Sequence, residues 1–193
     1  MDFNQREETI IKEAKERAEG LYRDGDYLCS EAVFTVVNDY LGRPIPAEAV
    51  RLASGFPVGM GTAGCACGAL SGGVMALGLK FGRTEPKAEM PDMFRVSKEL
   101  HDEFKKQFRS ACCRVLIKKF EFGGPEHLTQ CIHITGQVAE MVMKKNPARG
   151  KITDNPIIFS FSRAKCLYSV VNPVARIFSF RQSLCICTFL ARW

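Results

Sequence analysis

The stretch Cys65-Ala-Cys-Gly-Ala-Leu-Ser-Gly-Gly-Val-Met-Ala-Leu-Gly-Leu-Lys-Phe-Gly82 decides how the chain folds. It is apolar nearly all round, which fits a central buried helix or a pair of buried strands. Gly68, Ala69, Gly72, Gly73 and Ala76 favour the helix, because small residues let neighbouring elements come close. Each interior glycine costs roughly 1 kcal/mol against alanine in a helix, so their smallness must serve packing. The loop before it, Gly55-Phe-Pro-Val-Gly-Met-Gly-Thr-Ala-Gly64, is glycine-rich. The stretch therefore divides at Cys67, with loop before it and buried helix after.

Amphipathic helices flank this element. Ile10, Ile11, Ala14, Ala18 and Leu21 recur at helical spacing among Glu and Lys, predicting a helix over 7–22. Residues 26–42 read as a second helix, with Asp26 as its cap, Cys29 in its first turn, and Gly42 and Pro44 as the stop. A short third helix starts at Pro46 and ends at Gly55. Beyond the polar connection 82–91, Met93, Val96, Leu100, Phe104 and Phe108 form a stripe that is most simply core. Ser110 is placed to cap a short helix through Phe120. Gly124 and Pro125 open the last helix, on which Leu128, Cys131, Thr135, Val138 and Met141 or Val142 share a face. The fold expected is all-α: about six helices packed around the Gly/Ala-rich one, over residues 1–148.

The 193 residues carry a formal charge of +6, but residues 151–193 hold six Lys or Arg and one acid. The body is close to neutral, and neither a basic footprint nor a nucleic-acid partner is expected. No span of about 20 apolar residues predicts a membrane helix, and the charged N-terminus does not read as an export signal, so the expected compartment is the cytoplasm. Residues 149–193 have a different character: basic, with repeated Ser-Phe pairs and no helical period lasting three turns. A small β appendage, a membrane-adherent tail and translation in a non-native frame all fit, the last best.

Nine cysteines is a high and odd count. Without an export signal this argues against a disulfide framework and for metal or redox chemistry, although any single cysteine is most simply a small buried apolar residue. Cys29, Cys67, Cys113 and Cys131 fall on four different predicted helices. Three of them lie near helix N-termini, where amides and the helix dipole should lower the thiol pKa. Gly61, Gly64 and Gly68 put bare backbone beside these thiols, free to donate N–H groups to sulfur, although a tight turn and close helix packing would explain them equally well. There is no C-x-x-C, so zinc ribbons and thioredoxin-type dithiols lack their usual signature, and the Gly-rich stretch lacks the lysine of a phosphate loop. The histidines are scattered, and His133 is expected to face solvent.

Several segments together carry a resemblance: Tyr27-Leu-Cys-Ser-Glu-Ala-Val-Phe34, Ala49–Gly61, Cys67–Pro86, Phe104–Leu116 and the late Gln130-Cys131. In order and length they resemble the C-GCAxxG-C-C family of redox-active proteins, which is similar to the cluster-bearing C-terminal part of split-Soret cytochrome c. The match runs from about Glu13 to Lys145. By the resemblance, Cys29 takes the first cysteine position, Cys67 the central one, Cys113 the third in preference to Cys112, and Cys131 the last. The sequence departs from the pattern at Pro57 and Val58, where glycine is usual, and in the short connection between Cys113 and Cys131. Cys65 and Cys112 are extra thiols that could substitute as ligands.

The resemblance implies redox activity and an iron–sulfur cluster on Cys29, Cys67, Cys113 and Cys131, serving an electron carrier or accessory protein rather than a stand-alone enzyme. The expected partner is another redox protein, and homo-oligomerisation stays open. The alternatives are a metal-free thiol–disulfide protein and a zinc-stabilised or metal-free helical interaction module.

Overall fold

A computed structural model describes residues 2–146. The expectations for residues 149–193 lie outside the described residues. Among the described residues seven helical elements follow in order: α1 (Phe3–Arg23), α2 (Cys29–Tyr40), α3 (Pro57–Met60), α4 (Gly68–Phe81), α5 (Pro91–Phe108), α6 (Cys113–Ile117) and α7 (Pro125–Lys145), of which α3 is a single turn within the glycine loop whose Val58 and Gly59 are left-handed rather than α-helical. A 3-10 helix spans Ala47–Ala53. Among the described residues, β pairing is limited to one isolated antiparallel bridge, Ala66 with Cys112. The fold is all-α, and the segment at 68–81 is a helix rather than two strands.

α4 is the centre, and its glycines serve different neighbours. A Cβ on Gly72 would run into the Ser30 backbone of α2. On Gly73 it would stand 2.8 Å from Val138 Cγ1 of α7 and 3.1 Å from Leu100 Cδ2 of α5. Two consecutive small residues therefore admit α2 on one side and the α5/α7 pair on the other. The core around them holds Val33, Val37, Leu77, Leu100, Phe104 and Val142, all fully buried. As the spacing predicts, Val96, Leu100 and Phe104 are buried on α5, and Met93 and Phe108 pack against the core.

α1 lies along α7. Its start is fixed by a capping box: Asp2 Oδ1 accepts the Phe3 N–H at 2.6 Å and Gln5 Oε1 accepts the Asp2 N–H at 3.2 Å. Ala14 and Ala18 are fully buried, and Gly136 lets α7 approach Glu19. Ser30 Oγ donates to the Ala53 carbonyl at 2.8 Å, tying α2 to the 3-10 turn.

Four local expectations are corrected. The N-cap of α2 is Leu28, not Asp26; its N–H is taken by Glu31 Oε2 at 2.9 Å, so a glutamate one turn in replaces the capping side chain. The segment opened by Pro46 is 3-10 rather than α, too short to extend. Cys112 caps α6, because Ser110 Oγ accepts the Cys112 N–H at 3.0 Å and closes a turn one step earlier; that helix stops at Ile117. On α7, Leu128 is 42% exposed and His127 is buried instead. The inward stripe begins one residue earlier than the spacing implied.

Candidate redox centre

Three helix starts and one helix interior bring four thiols to one cavity. Cys29 is the first residue of α2, Cys67 the N-cap of α4, Cys113 the first residue of α6, and Cys131 lies in the second turn of α7. The Ala66–Cys112 bridge joins two of these starts. Cys67 N–H donates to the Ala111 carbonyl at 2.8 Å, Cys113 N–H to Cys65 at 2.5 Å, and Arg114 N–H to Gly64 at 3.0 Å. The turns before α4 and α6 thereby hold Cys67 and Cys113 as neighbours.

The glycine loop forms the remaining wall and is strained. Val58, Met60 and Thr62 have positive φ (55°, 62° and 74°), as do Gly59, Gly61 and Gly64. For β-branched Val58 and Thr62 this conformation is a true outlier, costing about 1–3 kcal/mol each, and such strain concentrates at functional sites. The loop gains a close approach: a Cβ on Gly59 would stand 2.7 Å from Cys113 Cβ, and one on Gly68 2.6 Å from Cys29 Sγ. The Val58 N–H faces the Cys29 sulfur, and the Ala69 and Leu70 N–H groups face that of Cys67.

These amides do not win the electrostatic balance. Burial pushes the Cys29 thiol up to about 11 and Cys131 to about 12, and raises Cys67 and Cys113 as well. Thiolate on Cys29 or Cys113 raises Cys67 and Cys131 further, by like-charge repulsion. The lowered thiol pKa expected from helix N-termini is thus reversed in the metal-free protein, because desolvation outweighs the nearby amides.

The cavity is small, about 20 Å³. All four cysteines line it, together with Val58, Gly68, Leu116, Ile117 and two polar side chains, Tyr22 and His127. Gly61, Gly64, Cys65 and Cys112 are not among its lining residues. Cys65 is exposed, and Cys112 Sγ donates to the Gly64 carbonyl at 3.2 Å. His133 is exposed, as expected.

Tyr22 and His127 escaped the sequence reading, though a signal existed for each. Tyr22 continues the buried Ala14–Ala18 spacing of four, and His127 stands four residues before Cys131 on the same face. The Tyr22 hydroxyl faces the Cys131 sulfur; burial and then the Cys131 charge raise its pKa, so it stays a proton donor. Gly123 N–H donates to His127 Nδ1 at 2.9 Å, which leaves the proton of the neutral ring on Nε2, and burial lowers its pKa.

The four thiols share the cavity with one imidazole, His127, and no carboxylate, a donor set of the kind that suits soft metals and iron–sulfur clusters. Among the described residues, no three His, Cys, Asp or Glu side chains are grouped to hold a single metal ion. The four cysteines share the cavity without being grouped around one point. A family model described as "Putative redox-active protein (C_GCAxxG_C_C)" matches residues 27–145, more than half of the chain.

The chain belongs to the C-GCAxxG-C-C family.

The family match takes in Cys29, Cys67, Cys113 and Cys131, whereas Tyr22 precedes it. No curated protein and no solved structure matches the chain. Among the described residues, no helix is long and apolar enough to cross a membrane.

Proposed function

We propose that this member of a redox-active family holds an iron–sulfur cluster on Cys29, Cys67, Cys113 and Cys131 and passes single electrons to a partner protein. The observation that carries the reading is that four thiols from four separate elements line one cavity without a carboxylate among them. A cluster would supply the one-electron couple. The chain's own part is to provide thiolates, to aim the N–H groups of Val58, Ala69 and Leu70 at sulfur, and to keep the site largely dry. Given the cavity's size, loading requires its wall to move outward.

Burial also speaks against the metal-free alternative. Thiol–disulfide exchange needs a thiol that a partner can reach, whereas Cys67 and Cys113 are buried. A structural zinc would draw on the same four cysteines, and metal analysis of protein made without oxygen separates it from iron.

Protein made and purified without oxygen is expected to contain iron and acid-labile sulfide and to absorb in the visible. Replacing Cys29 and Cys131 together by serine should abolish both. Protein that stays colourless and iron-free after anaerobic reconstitution would overturn the reading, and paired loss of thiols on mild oxidation would replace it with the disulfide alternative.

A further inference from the structure

The even charge balance of residues 2–146 conceals an uneven distribution. Residues 104–120 carry six cations and no acid, whereas the rest of 2–146 carries 14 cations against 20 acids. The six are Lys105, Lys106, Arg109, Arg114, Lys118 and Lys119. All are exposed, and among the described residues none is in an ion pair. Helix-end electrostatics explains part of this, since Lys105, Lys106 and Arg109 sit at the C-terminus of α5. It does not extend to Lys118 and Lys119, beyond α6, or to Arg114 on α6, a five-residue helix too short to have a distinct favourable end. Arg114 is nevertheless fixed there, its Nη2 donating to the Ala63 carbonyl at 2.8 Å.

This basic segment is also the rim of the cysteine cavity. Cys113, Leu116 and Ile117 line the cavity, and Val115 between them is 46% exposed. Phe122, 65% exposed, packs on cavity-lining His127 with ring centroids 5.0 Å apart. Leu128, beside His127, is exposed as well. Exposed apolar side chains at a redox site, set in unpaired positive charge, have the composition of a docking surface that steers an oppositely charged partner.

From this we infer that the α6 rim is where an acidic one-electron carrier protein docks, its carboxylates against Arg114, Lys118 and Lys119 and its apolar centre against Val115 and Phe122. The inference rests on the redox reading for its purpose, but docking itself can be measured without electron transfer.

The test uses the full chain and an acidic flavodoxin as probe, with binding followed by calorimetry. Binding at low salt should weaken by at least about tenfold in Lys118→Glu/Lys119→Glu, and likewise in the unaltered chain as salt is raised. Arg83→Glu/Lys87→Glu makes the same charge change just beyond the end of α4 opposite Cys67, and should alter binding by less than about threefold. Equal binding by both variants, no binding at low salt, or tighter binding of a short DNA duplex than of flavodoxin would each overturn the inference. Flavin absorbance reads electron exchange separately. Salt-sensitive binding without exchange leaves the docking surface standing and removes the redox reading.

Discussion

The Cα of Gly68 lies directly against the sulfur of Cys29: a methyl group on it would stand 2.6 Å from Sγ, 2.8 Å from the Phe56 carbonyl oxygen and 3.1 Å from Pro57 Cα. Of the three neighbours only the Cys29 sulfur is a side-chain atom that could turn away; the other two are backbone. Gly68→Ala should therefore displace Cys29 or the glycine loop, with a stability loss of about 1–3 kcal/mol from overpacking. Iron bound per chain should fall more steeply than helical content. Normal iron loading in Gly68→Ala would show that the contact does not position Cys29.

Gly72 and Gly78 sit on the same helix and should respond in opposite directions. Alanine at 72 meets the Ser30 backbone and should cost about 1–3 kcal/mol, whereas alanine at 78 meets only Met93 Cε at 4.0 Å and should stabilise by about 0.5–1 kcal/mol. Denaturant unfolding of the two variants reads the difference directly.

Tyr22→Phe removes the hydroxyl that faces Cys131 while keeping the ring. In the metal-free protein, Cys131 should become slower to alkylate at mildly alkaline pH, since its thiolate loses a hydrogen-bond donor. In the loaded protein the midpoint potential should fall, because hydrogen bonds to sulfur favour the reduced, more negative state. A tenfold shift of the one-electron equilibrium corresponds to about 59 mV. Unchanged alkylation and unchanged potential together would mean that Tyr22 only fills space.

The pH dependence of stability in the metal-free protein should carry the mark of the raised thiols. Between the ordinary thiol value and the folded values of about 11 for Cys29 and about 12 for Cys131, the unfolded chain holds fewer protons than the folded one. Stability is therefore full below about pH 9 and falls as pH rises through that window, by up to about 1.4 kcal/mol per unit for each thiol. Urea midpoints measured from pH 7 upward check the direction. A loss that persists in Cys29→Ser/Cys131→Ser would have to come from other groups.

A truncation at the core tests the packing scheme independently of the site. Phe104 is fully buried on α5, its ring 4.8 Å from that of Phe108. Phe104→Ala should cost about 3–5 kcal/mol, read by thermal or denaturant unfolding.

The helices around this core were legible because they follow the 3.6-residue period: Val96, Leu100 and Phe104 announced their burial by spacing alone. The local starts were less so. The caps at Leu28 and Cys112 depend on which of several polar neighbours completes a turn, a choice settled by geometry beyond the reach of side-chain preference. Leu128 and His127 exchanged roles for a related reason: a helix's pattern fixes its inward stripe only to within one position, until its partner helix is known.

By itself the sequence determined the all-α class, the central place of the Gly/Ala-rich helix and, through the order of its cysteine segments, the family. Local periodicity and the sizes of residues carry the first two, and the resemblance of the ordered segments carries the third. Only the tertiary structure decided that Cys29, Cys67, Cys113 and Cys131 line one cavity while Cys65 and Cys112 stay outside it, and that Tyr22 and His127 join them. It also reversed the expected thiol pKa, because desolvation depends on every element packed around a sulfur, whereas the amide dipoles that favour thiolate are local and visible in the chain.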